Sequence, residues 1–356
     1  GRGFFVLDDY SALREMSEEN LSSKGKLFKP RDAKLFRPRN SLGNTGGQFY
    51  VADNPTYGAV FTYHLNDVPK TSKSIRVQSE RQLNNSNSDV PFPGYDKLSD
   101  EMTEKSASII LTIKDSNGNH IRNVKQNASN GSGKIAWNLR HKSYYPVRAG
   151  RAQSNWWFNP SGPYVTPGEY QAELYLENNG SVEKLDGPVS FNVKPLRKGT
   201  LEGSSYDDYN NFRNMVSSLY IEISKYEDEF NLMKAKVQLL EKASMELEDF
   251  SPEMIKKIAD FKSKYNNVEY ELDGNPARAE IGEWDKVTLA ARIRIAMQGL
   301  STSYGPTELN SSNLEIARKM FNESKGVIES LKAELESLEN QIKELNPPHL
   351  AGSGIN

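Results

Sequence analysis

The apolar positions of this chain follow two regimes that meet near residue 200. Beyond it, Phe212, Val216, Leu219, Ile223, Tyr226, Phe230, Met233, Val237 and Leu240 succeed one another at alternating steps of four and three. Ile328, Leu331, Leu335, Leu338, Ile342 and Leu345 repeat the pattern. Both runs predict long helices with heptad seams. Between them, Ser251-Pro252-Glu253 is an N-cap followed by Pro at the first helical position, opening a helix through Tyr265. A further segment runs from Trp284 to Leu300, and Pro347-Pro348 stops the last helix. The spacing predicts an antiparallel bundle or long hairpin over residues 204–346, followed by a tail at 347–356. Two matching seams in one chain favour internal packing over a homodimer.

Before residue 200 the pattern is that of strands. Phe4, Phe5, Val6 and Leu7 form an apolar run framed by Gly1, Gly3, Asp8 and Asp9. One strand cannot pair its own backbone, so its partners are expected outside this chain. Residues 48–52 and 59–65 flank a turn at 53–58, and Ser108 to Ile113 leads into the hairpin turn Asp115-Ser116-Asn117-Gly118. Returning through His120-Ile121-Arg122, the chain shows further strands at 134–139, 168–176 and 189–193. About seven strands with turn chemistry between them fit a β-sandwich. Its main body is placed at 106–196, with its first strands and linkers in 15–105. Residues 66–105, rich in Ser, Asn, Asp and Pro, read as a long connection. The expected class is α+β and multidomain.

Composition narrows the function classes. The 356 residues suit two or three domains, and a net charge of -2 gives no pull toward nucleic acid or anionic membranes. No run approaches the ~20 apolar residues of a membrane-spanning helix. The chain has no Cys, which excludes disulfides, thiolate metal sites and cysteine nucleophiles and leaves the compartment open.

His64, His120, His141 and His349 lack partners at metal-ligand spacing, and no phosphate-binding or nucleophile-elbow motif occurs. Asp8 and Asp9 are adjacent, so on a strand they face opposite ways and read as turn or cap residues rather than an acid/base pair. Asp115-x-Asn117-x-Asn119 begins like a calcium loop, but His120 and Gln126 occupy the positions that need Gly and Glu. The short basic pieces at Lys24, Lys26, Lys29 and Arg31 read as a solvated linker, and Lys319, Lys325, Lys332 and Lys343 as outer helix faces. The strongest surface candidates are Tyr144 and Tyr145 with Trp156, Trp157 and Phe158, in a loop between two strands. Such rings could stack on sugars, but packing against a neighbouring domain is the favoured reading. No catalytic residue, cofactor site or metal site is expected.

Two stretches carry a family resemblance. Gly1-Arg2-Gly3-Phe4-Phe5-Val6-Leu7-Asp8-Asp9 with Ser11-Ala12-Leu13-Arg14 resembles the closing strand of a sortilin-type, Asp-box β-propeller, a class often labelled glycosyl-hydrolase-like in bacteria. The segments 28–33 and 52–63 resemble the region on the C-terminal side of that propeller. Residues 113–122, 133–140 and 162–170, with Asn117-Gly118, Trp137 and Pro167-Gly168, are similar to a flagellar hook-capping type of immunoglobulin-like domain. The resemblance covers about residues 1–195. It implies an extracytoplasmic protein (periplasmic, cell-surface or secreted) whose residues 1–14 close a propeller lying upstream, with Phe4 to Leu7 as the propeller contact. Any enzymatic activity would then belong to the propeller, and this chain would be a non-catalytic scaffold or protein-interaction region. The alternatives are a carbohydrate-binding accessory module and a coiled-coil assembly subunit. The implied partners are the upstream propeller, a protein partner at the helices and a glycan, without nucleic acid.

Overall fold

The structure, a computed structural model, describes residues 9–38, 54–147, 161–197 and 199–350. It is a mixed α/β chain that divides into two compact units. The described part of the first unit is 9–38, 54–142, 161–197 and 199–200; that of the second is 143–147 and 201–350. The chain therefore leaves the first unit after Lys142, re-enters it at Ser161, and leaves again after Thr200.

The first unit opens with a 3-10 turn at Ser11–Arg14 and helix α1 (Glu18–Ser22). Its strands are β1 (Gly25–Leu27), β2 (Ala33–Leu35), β3 (Ala59–Leu65), β4 (Ser108–Asp115), β5 (His120–Asn127), β6 (Gly131–Trp137), β7 (Gly168–Asn178) and β8 (Ser181–Pro195). They form a three-stranded sheet in the order β1-β3-β6 and a five-stranded sheet in the order β2-β8-β7-β4-β5. All neighbours are antiparallel except β2 and β8, which run parallel.

Period-two alternation decides what each strand buries. Ala59, Phe61, Tyr63 and Leu65 point inward from β3, Ile109, Leu111 and Ile113 from β4, and Phe191 and Val193 from β8. These side chains share one core with Ile135 and Trp137 of β6, so the two sheets bury their apolar faces together. Trp137 sits at its centre, with its ring 5.4 Å from Tyr170 and 6.1 Å from Phe191, and its indole N–H donates to Arg140 O at 2.9 Å. One glycine is forced by the packing: Gly58 has φ +114°, and a Cβ there would lie 2.0 Å from Trp137 O. The strands expected at 108–113, 134–139, 168–176 and 189–193 are present with shifted ends, whereas 48–52 lie outside the described residues.

Residues 66–105 depart from expectation, because they contain two helices, α2 (Ser72–Asn85) and α3 (Tyr95–Thr103). Neither buries a residue, so no apolar stripe announced them. Local polar contacts hold them instead. Thr71 caps α2 by accepting from Ser74 N at 3.2 Å. Arg76 donates to both oxygens of Glu101 at 2.7 Å and to Glu80 at 2.6 Å, tying α2 to α3.

The second unit is helical: α4 (Tyr206–Ala243), α5 (Pro252–Asp273), α6 (Pro276–Glu280), α7 (Leu289–Gln298) and α8 (Glu308–Lys343). Ser205, Ser251 and Thr288 cap α4, α5 and α7 by accepting from the backbone N–H three residues on. Thr307 and Asn310 form a capping box at the start of α8.

The two long helices run parallel, not as the arms of a hairpin. Glu222 meets Lys325 at 3.5 Å, Glu229 meets Lys332 at 3.3 Å, and Lys236 meets Glu339 at 2.8 Å. Tyr226 donates to Glu329 at 3.1 Å in the same direction. The ion pairs advance by one heptad on both helices together, as only a parallel pair allows. α5 runs antiparallel to both, since Lys262 pairs with Glu241, Lys234 with Glu269, and Lys264 with Glu334. α7 is antiparallel to α8, with Arg292 facing Asn313 and Asn310 reaching Ile295 O.

The antiparallel layer is thus shared between two helices. α5 covers a core formed by Phe230, Met233, Val237 and Leu240 of α4 with Ile328, Leu331, Leu335, Leu338 and Ile342 of α8. α7 covers a second core containing Phe212, Val216, Leu219 and Ile223 with Leu314, Ala317 and Phe321. Every predicted seam position of α4 but the partly buried Tyr226 is buried within this unit.

Candidate functional site

Tyr144 and Tyr145, the candidates within the described residues, form a three-ring cluster with Tyr220 of α4. Ring centroids lie 5.0 Å apart for Tyr144 and Tyr145, 5.4 Å for Tyr144 and Tyr220, and 5.1 Å for Tyr145 and Tyr220. Both contacts with Tyr220 are edge-to-face, the arrangement favoured by the ring quadrupole. Burial pushes both hydroxyls of Tyr144 and Tyr145 above the ordinary tyrosine range, and neighbouring Tyr145 and Tyr220 push Tyr144 further. Ser143 Oγ accepts from Tyr145 N at 3.1 Å, bending the chain where it enters the second unit. The two rings are committed to packing on a helix. Trp156, Trp157 and Phe158, and the expected propeller contact Phe4, Phe5, Val6 and Leu7, lie outside the described residues.

The other candidates serve local structure. Asp9 accepts from Ser11 N at 2.9 Å and Ser11 Oγ at 2.7 Å, and pairs with Arg31 at 3.3 Å. Asp115 Oδ1 accepts from Asn117 N and Asn119 N at 2.9 and 2.8 Å, closing the β4–β5 turn in which Gly118 has φ +83°. Both carboxylates therefore act as turn acceptors. His64 bonds Ser132 at 3.0 Å and His120 bonds Asn123 at 2.8 Å. Among the described residues, no three His, Cys, Asp or Glu side chains are grouped to hold a metal ion.

A cleft opens where the antiparallel layer changes from α5 to α7. Ile223, Tyr226 and Phe230 of α4, Leu272 at the end of α5, and Phe321 and Ile328 of α8 line it. Asp273 sits at its edge, its carboxyl raised by burial and by the nearby Glu269. The signal for this gap is Gly274-Asn275-Pro276, where Gly274 has φ +94° and Asn275 caps the short α6.

A second arrangement joins residues far apart in sequence. Just after β6, the buried Leu139 has φ +56°, a left-handed conformation that costs a bulky residue about 1 kcal/mol or more. Arg140 follows and bridges to Tyr164, with its guanidinium carbon 3.7 Å from the centre of the Tyr164 ring. Arg37 also lies over that ring, at 4.7 Å. Arg140 Nη1 donates to Gly162 O at 2.8 Å, and Arg122 Nη1 to His141 O at 3.3 Å. Gly162 is required there, since a Cβ would lie 2.3 Å from both His141 O and Lys142 O. Burial lowers the pKa of Arg122, and the positive charge of Arg140 lowers it further, so the two guanidinium groups sense each other. Tyr57 extends the cluster, its ring 6.3 Å from Tyr164 and its hydroxyl pushed up to about 12, chiefly by burial. No spacing rule reveals this cluster, because Arg122 belongs to one sheet and Arg140 follows a strand of the other, and the packing of the two sheets with the isolated Arg140–Tyr164 bridge brings them together.

No protein-family model matches this chain, and no curated protein is similar to it. Among the described residues, no helix is long and apolar enough to cross a membrane.

Proposed function

We propose that this chain is a non-catalytic scaffold and protein-interaction region of an exported β-propeller protein. In this reading the two-sheet unit is an immunoglobulin-like sandwich attached to the propeller, and the helical unit is the arm it presents to a partner. The observation that carries the proposal is the Tyr144–Tyr145–Tyr220 cluster, in which the aromatic candidates pack on α4. The length of α4 adds to it: its 38 residues extend about 57 Å, a stiff element suited to spacing or presenting contacts. The extracytoplasmic location and the upstream propeller rest on the family resemblance alone.

The test is an activity and binding panel on the purified chain. Turnover of any polysaccharide or peptide substrate would overturn the scaffold reading. Affinity electrophoresis in gels loaded with glycans reads the accessory-module alternative. Retention that disappears in a Trp156→Ala, Trp157→Ala double variant would replace scaffolding with glycan binding, whereas unretarded migration supports the scaffold.

A further inference from the structure

The structure assigns an oxyanion-binding site to the first unit, built from Arg122 and Arg140 beside Tyr164, with Arg37 over the same ring. It would take the carboxylate, phosphate or sulfate group of an acidic ligand. This goes beyond the scaffold reading and does not depend on it.

Two guanidinium groups repel each other, so a cluster of this kind normally includes a carboxylate. Among the described residues, no carboxylate lies within ion-pair distance of Arg122 or Arg140. Among the described residues, each makes one side-chain bond, to a backbone carbonyl. A guanidinium has five N–H donors, which leaves most of them for another acceptor. Both residues are half-buried, and none of their nitrogens is among the buried polar atoms without a partner, so the spare donors remain within reach of solvent and ligand.

The local sequence supplies no internal counter-charge. Residues 116–168 contain seven Lys and Arg and neither Asp nor Glu, in a chain whose net charge is -2. Positive charge is thus concentrated along the stretch that delivers Arg122, Arg140 and Tyr164. The backbone also holds an unfavourable shape there. Leu139 is kept at positive φ and Gly162 is pressed against two carbonyls, and together these place Arg140 on the Tyr164 ring. Strain maintained by its surroundings is characteristic of pre-organised sites. Stacking fixes the plane of the guanidinium and leaves its edge to bind two oxygens side by side.

The experiment uses the full chain and simple anions. Thermal melts are recorded in chloride, acetate, galacturonate, sulfate and phosphate at one ionic strength. The expected result is a saturable rise in Tm with at least one oxyanion over chloride. Response to acetate and galacturonate alone identifies a carboxylate ligand, response to sulfate and phosphate alone a tetrahedral anion, and response to all an oxyanion site without that preference. Arg122→Gln and Arg140→Gln should each weaken apparent affinity about tenfold or more. Because Arg140→Gln removes packing as well as charge, a second measurement uses the native chain. Phenylglyoxal modification, mapped by mass spectrometry, should be slower at Arg122 and Arg140 in the responding anion than in chloride. Equal melting in all anions, or equal modification rates, would overturn the assignment.

Discussion

Replacing Glu173 with Gln tests how the five-stranded sheet manages charge. Glu173 is 6% exposed, in the middle of β7. Its carboxylate accepts from Lys114 at 2.6 Å, Lys184 at 2.7 Å and the Tyr175 hydroxyl at 3.0 Å. The hydrogen bond from Lys114, followed by that from Lys184, lowers its pKa from the ordinary 4.5 to about 2. A shift of that size corresponds to about 3 kcal/mol. The lysine side chains are 32% and 42% exposed, so solvent screening reduces the expected loss in Glu173→Gln to about 1–2 kcal/mol. The sign follows from the depressed pKa. The contribution is complete above the unfolded-state value near 4.5 and disappears as pH falls toward about 2. Melts of both proteins, followed by near-ultraviolet circular dichroism, should differ by about 2–8 °C at pH 7. The gap should narrow steadily between pH 4.5 and pH 2. Equal melting at pH 7, or a gap that persists undiminished at pH 2, would refute the reasoning.

Three further outcomes follow from the packing. Zero-length carbodiimide coupling, read by mass spectrometry, should join Lys325 to Glu222, Lys332 to Glu229 and Lys236 to Glu339; an antiparallel pair of long helices could not yield this series. Gly58→Ala should destabilise the first unit by about 1–3 kcal/mol, measured by urea unfolding, because the added Cβ meets Trp137 O at positive φ. Arg76→Ala should lower helical circular dichroism while leaving the tertiary signal of Trp137 unchanged, since α2 and α3 bury no apolar residue and depend on the Glu101 and Glu80 contacts.

The elements readable in the sequence are those whose faces differ. Phe61 and Tyr63 on β3, Ile109 and Leu111 on β4, and the four-three steps from Phe212 to Leu240 each mark a buried face with a fixed period. α2 and α3 have no buried face, so their Ser- and Asn-rich sequence reads as a connection. Helix direction was equally hidden. A heptad seam states that a helix is covered but not which way its partner runs, and the outer charges Glu222, Glu229 and Lys236 decide that. At the sites, the aromatic pair Tyr144-Tyr145 stands out in sequence, but its partner Tyr220 is an ordinary half-exposed helix residue. The arginine cluster leaves even less trace, because the packing of the two sheets and one isolated bridge, not proximity in the chain, assemble it.

The parallel pairing of α4 and α8 also sets an order of events during synthesis. α4 ends at Ala243 and α8 at Lys343, so the last residues of the partner emerge one hundred residues later. At ribosomal speed that interval is about 5–20 s. α5 and α7 emerge in between and can cover the seam of α4, α5 through contacts much nearer in sequence. Until then α4 has only α5 and α7 against its seam, and α8, which contributes to both cores, completes them last.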